Sequence, residues 1–211
     1  MENATTLPKR GKTLLSGDGR TIASTDAAFV EGARADFDDI APGQAPGAKV
    51  RRSNRRVTCI LVRNVSGIAL LPKRTVKWAA GYRGKRVDGY CSVTAEECAG
   101  VVDEHLPAAG VPNNDLFWIA VKGPSLTKTD LAGGANNSIA EGDVLAALTA
   151  ATSQATTSGR VAPWTGLTSA AAGTTDGTQA KYLLNYLGRA MSAKTTAQTN
   201  QDILVDLAIL K

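Results

Sequence analysis

The chain has 211 residues, 43% of them apolar but only 5% aromatic, so a folded core must be built from Val, Leu, Ile and Ala. Residues 1–90 carry seventeen Lys/Arg against eight Asp/Glu and residues 91–211 carry seven against eleven, which joins a half at +9 to a half at −4 and gives the net +5. Such a split points to docking on another macromolecule rather than to turnover of a small substrate, and no apolar run approaches the roughly 20 residues of a membrane-spanning helix.

Residues 1–56 read as an extended basic N-terminal arm. Residues 1–6 lack a basic stretch followed by an apolar one, so no signal peptide is expected. Gly17-Asp18-Gly19 is a turn signal and Ala41-Pro42-Gly43-Gln44-Ala45-Pro46-Gly47 is linker chemistry. Within residues 24–37, Phe29, Ala33 and Phe37 recur at a helical spacing and predict a short helix. An arm of this composition cannot bury enough surface to offset its ordering entropy, so it is expected to take shape only against a partner. Its charge peaks in Lys49-Val50-Arg51-Arg52-Ser53-Asn54-Arg55-Arg56.

From Val57 to the end, residues 57–211 read as a β-rich domain. Strands are expected over residues 57–62, 68–71, 75–79 and 87–93. Thr94-Ala95-Glu96-Glu97 then fits a capping box, with Val93 and Cys98 as a hydrophobic staple. Cys98, Val101, Val102 and His105 fall on one helical face before Pro107, which predicts one short helix. Asp115-Leu116-Phe117-Trp118-Ile119-Ala120-Val121 is the clearest strand, closed by Gly123-Pro124. Another covers residues 143–148. The Ala/Ser/Thr/Gly-rich residues 149–178 predict a long exposed loop. Residues 186–193 and 202–210 form a closing hairpin, although Ala180, Leu183, Leu184 and Leu187 also fit a helix. The final strand is apolar on both faces and is expected to be buried on both. Short strands about ten residues apart predict a compact antiparallel β-barrel or sandwich with one short helix, preceded by the arm.

Little here suggests catalysis, and the chain is read as a non-enzyme without a cofactor. His105, the sole histidine, sits where it would cap a helix C-terminus. Cys59, Cys91 and Cys98 lack metal-ligand spacing and read as buried, reduced side chains. Gly81-Tyr82-Arg83-Gly84-Lys85 lacks the spacing of a phosphate-binding loop and reads as a hairpin turn. Asp36, Asp38 and Asp39 read as a solvated acidic patch or as partners for a neighbouring chain. Four arginines in six residues repel one another unless anions meet them. Arg51, Arg52, Arg55 and Arg56, with Lys49, Arg34, Phe29 and Phe37, are therefore the candidate partner-binding residues. The anions could come from an acidic protein surface or from nucleic acid, though no base-reading motif is present.

Four motifs occur in order: Arg63-Asn64-Val65-Ser66-Gly67, residues 115–124, Ile139-Ala140-Glu141-Gly142-Asp143-Val144-Leu145, and Gly188-Arg189-Ala190-Met191-Ser192-Ala193. In this order the chain resembles the capsid decoration, or cement, proteins of tailed bacteriophages. The resemblance covers roughly residues 57–211. It implies a structural virion protein, made in the host cytoplasm and located on the capsid. Such a protein holds adjacent major capsid proteins together and is often a trimer, with the arm here crossing to neighbouring subunits. A nucleic-acid-binding head protein that uses residues 49–56 is the alternative reading.

Overall fold

A computed structural model describes residues 7–8, 10–13, 30–41, 50–91, 97–129, 138–147, 159–163, 186–195 and 201–209. The fold is mainly β, and ten strands belong to one hydrogen-bonded sheet: β1 (Arg34–Ile40), β2 (Arg51–Asn64), β3 (Thr75–Trp78), β4 (Arg86–Tyr90), β5 (Cys98–Val102), β6 (Leu116–Lys128), β7 (Val144–Ala147), β8 (Val161–Pro163), β9 (Tyr186–Ala190) and β10 (Asp202–Ala208). Among the described residues no helix is long and apolar enough to cross a membrane.

In the sheet β2, β4, β3, β5 and β6 are successive neighbours, and β6 pairs back onto β2, so five strands close a ring. An odd number of strands cannot alternate in direction all the way round, so one neighbouring pair must run parallel. That pair is β2 with β4, matched at Arg63↔Arg86 and Asn64↔Val87, while the other ring pairs are antiparallel. Outside the ring, β1 adds to β2, and β10, β9, β7 and β8 follow in turn from β6. Thr129, just past the end of β6, bridges Val161 in parallel and brings this second run back toward its origin.

Period-two alternation sorts the side chains into two cores. Ile60, Val62, Val76, Val87, Ala99, Val102, Phe117 and Ile119 come from all five ring strands and fill its interior. The alternate positions Val57, Cys59, Leu61, Val101, Leu116, Trp118 and Ala120 face outward from the ring. There they join Leu145, Val161, Leu187, Ile203, Val205 and Leu207 of the second run. Two long strands make this possible by changing partners. β6 pairs with β2 as far as Lys122 and with β10 from Lys122 onward. At the change sits Gly123, whose φ is +88°, and a Cβ there would run into the Arg56 carbonyl. Gly123-Pro124 therefore marks a bend inside β6, not the strand end expected from the sequence.

The residues that carry the family resemblance have structural duties. The buried Asn64 side-chain amide donates to the carbonyls of Ile68, Val111 and Pro112, and its oxygen accepts from the Ser66 amide and hydroxyl. That satisfies a polar group at the end of a core strand. Asp143 accepts from the Ala140 amide and closes the turn before β7. At Gly188 an added Cβ would strike the Asp206 carbonyl across the β9–β10 pair. The half-buried Asp202 ties β10 to β6 through Lys128 and also meets Lys73. Burial works against its charge, but the two lysines win and hold its carboxyl below the ordinary range.

Several expectations hold. The runs at 57–62, 75–79, 87–93, 115–121, 143–148, 186–193 and 202–210 all contain strands, β9 and β10 pair antiparallel, and residues 81–85 turn between β3 and β4. Others need correction. Cys98–Val102 is a strand, not a helix, with all five residues buried between β3 and β6. A short apolar run does not reveal its period, and here the sheet context decides it. Residues 94–96 of the capping box lie outside the described residues. Arg34–Ile40 is also a strand, so the helix expected over 24–37 does not extend through its described end. Residues 68–71 contribute only the Leu70↔Val111 bridge. The final strand buries Ile203, Val205 and Leu207, but its other face is only half covered and Ala208 is exposed. The 149–178 segment contains β8, and most of the remainder, like residues 17–19, 42–47 and 180–185, lies outside the described residues.

The largest correction concerns the arm. The boundary at residue 56 falls inside β2, which runs unbroken from Arg51 to Asn64. β1 pairs along it from Arg34↔Ile60 to Ile40↔Arg51. Leu7, Val30, Ala33, Ala35 and Phe37 pack against the outer core. The described part of the arm thus shares the hydrophobic interior of the rest.

Candidate partner-binding site

The β1–β2 hairpin places the predicted binding residues on two sides of one ladder. Asp38 and Arg56 stand directly opposite, as do Asp36 and Thr58, and Phe37 and Val57. Alternation turns Phe37 inward, where its ring meets Trp118 edge-on at 5.2 Å and 73°. The outward set is Arg34, Asp36, Asp38 and Arg56, with Arg51 and Arg55 nearby on β2. Lys49 and Phe29 lie outside the described residues.

The arginines are not a free cationic cluster. Arg51 Nη2 lies 3.0 Å from Asp38, with both side chains exposed. Arg55 Nη2 donates to both Asp206 oxygens at 2.7 Å and fastens β2 to β10. Arg52 reaches Asp39 at 2.6 Å and Glu104 at 3.0 Å, and both carboxylates are buried. Of the acids read from sequence as a solvated patch or as partners of another chain, Asp38 and Asp39 are therefore partners of arginines within this one, whereas the exposed Asp36 accepts from the Thr58 hydroxyl. Among the described residues Arg34 and Arg56 of the set project without an ion pair, and both are exposed.

Arg52 belongs to a buried ionic chain that the sequence did not reveal. Arg10 Nη2 lies 3.0 Å from Asp103 and 3.6 Å from Glu104. The Gly11 amide donates to Asp103 at 2.7 Å, the Leu126 amide donates to Glu104 at 3.0 Å, and the Ser53 hydroxyl donates to Asp39 at 2.7 Å. The order Asp103, Arg10, Glu104, Arg52, Asp39 alternates in sign and joins the N-terminal segment, β1, β2 and the turn after β5. Burial opposes the Arg10 charge, but Asp103 leads the acids that outweigh it and raise its pKa above the arginine norm. His105 sits in this turn, not at a helix end. Burial, then Arg10, pushes its imidazole below the ordinary value and favours the neutral form. These carboxylates are engaged by arginines and by amide or hydroxyl donors.

Residues 7–8 and 10–11 complete the site. Trp118 Nε1 donates to the Pro8 carbonyl at 2.6 Å, a buried bond. Gly11 lies so close to the His105 carbonyl that a Cβ would come within 2.9 Å of it. Between this segment and β1 lies a cavity of about 650 Å³, lined by Arg10, Gly11, Asp36, Phe37, Asp38, Ile40, Arg56 and His105. The three cysteines are free and buried, and burial pushes the Cys59 thiol up to about 12. Among the described residues no group of His, Cys, Asp and Glu could hold a metal ion. No protein-family model matches the chain, and no curated protein matches it.

Proposed function

We propose that the chain is a structural virion protein that binds the head of a tailed bacteriophage and cements adjacent major capsid proteins. One observation carries this reading beyond the ordered motifs. The outer surface of β1–β2 presents both signs of charge within a single strip, namely Arg34, Asp36, Asp38, Arg51 and Arg56. A mixed strip suits a protein surface, where complementary charges set register and orientation. A polyanion such as DNA would instead favour a uniformly basic strip, and three of the four clustered arginines already hold carboxylates. Cementing across subunits then comes from the rigid hairpin, and many modest contacts repeated on a lattice add up to strong attachment.

Heads purified from host cells that make this chain are expected to contain it at a fixed ratio to coat protein. Arg56→Glu, at an exposed position without an ion pair among the described residues, should leave the fold intact and lower head occupancy several-fold. Heads that carry none of the chain would refute the proposal. So would tight DNA binding that weakens steeply with salt, coupled with full head occupancy by the variant.

A further inference from the structure

β1 is an edge strand. It pairs with β2 on one side and, among the described residues, with no strand on the other. The Leu61 amide donates to the Ala33 carbonyl at 2.8 Å, one step before the Arg34↔Ile60 pair. Antiparallel positions alternate between bonded and non-bonded pairs. Ala35 and Phe37 therefore direct their backbone groups at β2, and the N–H and C=O groups of Arg34, Asp36 and Asp38 point out from the sheet. Such a row is a template for one more strand. Charges of one sign would repel any identical copy, but here they differ along the edge, with Arg34 positive and Asp36 and Asp38 negative.

We propose that β1 pairs antiparallel with β1 of a second copy of this chain, about a two-fold axis that sets Ala35 opposite the partner's Ala35. In this register Arg34 faces the partner's Asp36, and Asp36 faces the partner's Arg34. Asp38 falls opposite the partner's Gly32, which brings no charge. Shifting one step either way puts Asp36 against the partner's Asp36, or Arg34 against the partner's Arg34. A further shift one way opposes Asp36 and Asp38, and a further shift the other way leaves Arg34 facing the partner's Gly32, whose amide is already bonded to the Leu61 carbonyl. Of these registers only the central one sets unlike charges, and no like ones, opposite each other along the outward residues of the strand, and like charges directly opposite are destabilising. The interface is isologous, as a two-fold requires. Arg34 is exposed and, among the described residues, has no ion pair, and Asp36 accepts from the Thr58 hydroxyl at 2.6 Å.

Sedimentation velocity of the intact chain over a concentration series tests this pairing. The weight-average mass should climb from 21.9 kDa toward twice that value. Arg34→Asp and Asp36→Arg should each hold the mass at the monomer value, with unchanged circular dichroism. The double variant Arg34→Asp/Asp36→Arg should dimerise again. Overturning outcomes are a wild-type mass fixed at the monomer, self-association that ignores the single substitutions, a double variant that stays monomeric, or a trimer indifferent to all of them. The pairing shares Arg34 and Asp36 with the strip proposed to meet the capsid, and the two readings separate because self-association is read on the isolated chain, whereas head occupancy is read with Arg56→Glu, outside this register.

Discussion

Replacing Arg52 with Ala is expected to destabilise the fold by about 3–5 kcal/mol, the range seen when one partner of a buried ion pair is removed. Among the described residues Arg52 is the only cation that bridges Asp39 and Glu104, and both carboxylates are inaccessible to solvent. Without it Asp39 keeps the Ser53 hydroxyl, and Glu104 keeps the Leu126 amide and a more distant Arg10 at 3.6 Å. Neither arrangement neutralises the stranded charge. Arg51, the preceding residue, supplies the control. Its pair with Asp38 is 55% and 42% exposed, so Arg51→Ala should cost under about 1 kcal/mol. Urea unfolding of both variants measures the contrast. Equal losses would mean that the ionic chain is not buried as described.

Trp118→Ala is expected to have an effect of similar size, about 3–5 kcal/mol for a large aromatic removed from a packed core. The side chain is 1% exposed, stacks edge-on against Phe37, and holds the Pro8 carbonyl. Trp118→Phe separates these roles. It keeps a ring beside Phe37 but leaves the Pro8 carbonyl without its donor, a loss of about 1–3 kcal/mol. That loss falls on the N-terminal segment, so trypsin should cut after Arg10 faster in Trp118→Phe than in the parent. Unchanged cleavage would show that the tryptophan does not anchor the chain at Pro8.

Both effects run through the segment that composition marked as a loose arm, and the reason lies in what sequence can display. The strands around Val57 and Leu116 were legible because β-branched and aromatic residues in short runs fit a pleated, buried surface whatever their partners. The arm was misread because its charges were counted without their counter-charges. Glu104 lies 52 residues from Arg52, and Asp206 lies 151 from Arg55. No local pattern joins them. One signal was present nonetheless. Asp38-Asp39 and Arg51-Arg52 flank a Pro/Gly-rich stretch at a separation of 13 residues, and in the structure they meet across the β1–β2 ladder. Acids before a turn and bases after it are what a cross-strand pair looks like in sequence. Arg10, Asp103 and Glu104 gave no comparable sign, since the helix expected over 94–105 placed the two acids on the wrong element. The five-residue β5 was hidden for the same reason, because Cys98, Val101 and Val102 satisfy a helical stripe as readily as a buried strand.

The mixed strip on β1–β2 matters for function only if the hairpin exists before any partner arrives. A preformed surface binds without first spending free energy on its own ordering, which separates a rigid clamp from an arm that folds on contact. The ionic chain and the Trp118 anchor are the two devices that would keep it formed.

Amide hydrogen exchange on the isolated chain reads this directly. Ala35 and Phe37 of β1, and Cys59 and Leu61 of β2, should exchange nearly as slowly as Trp118 and Ile119 in the centre of the sheet. Exchange at the unfolded rate throughout residues 34–56, beside a protected β6, would contradict the account and return the basic segment to the status of an unstructured arm.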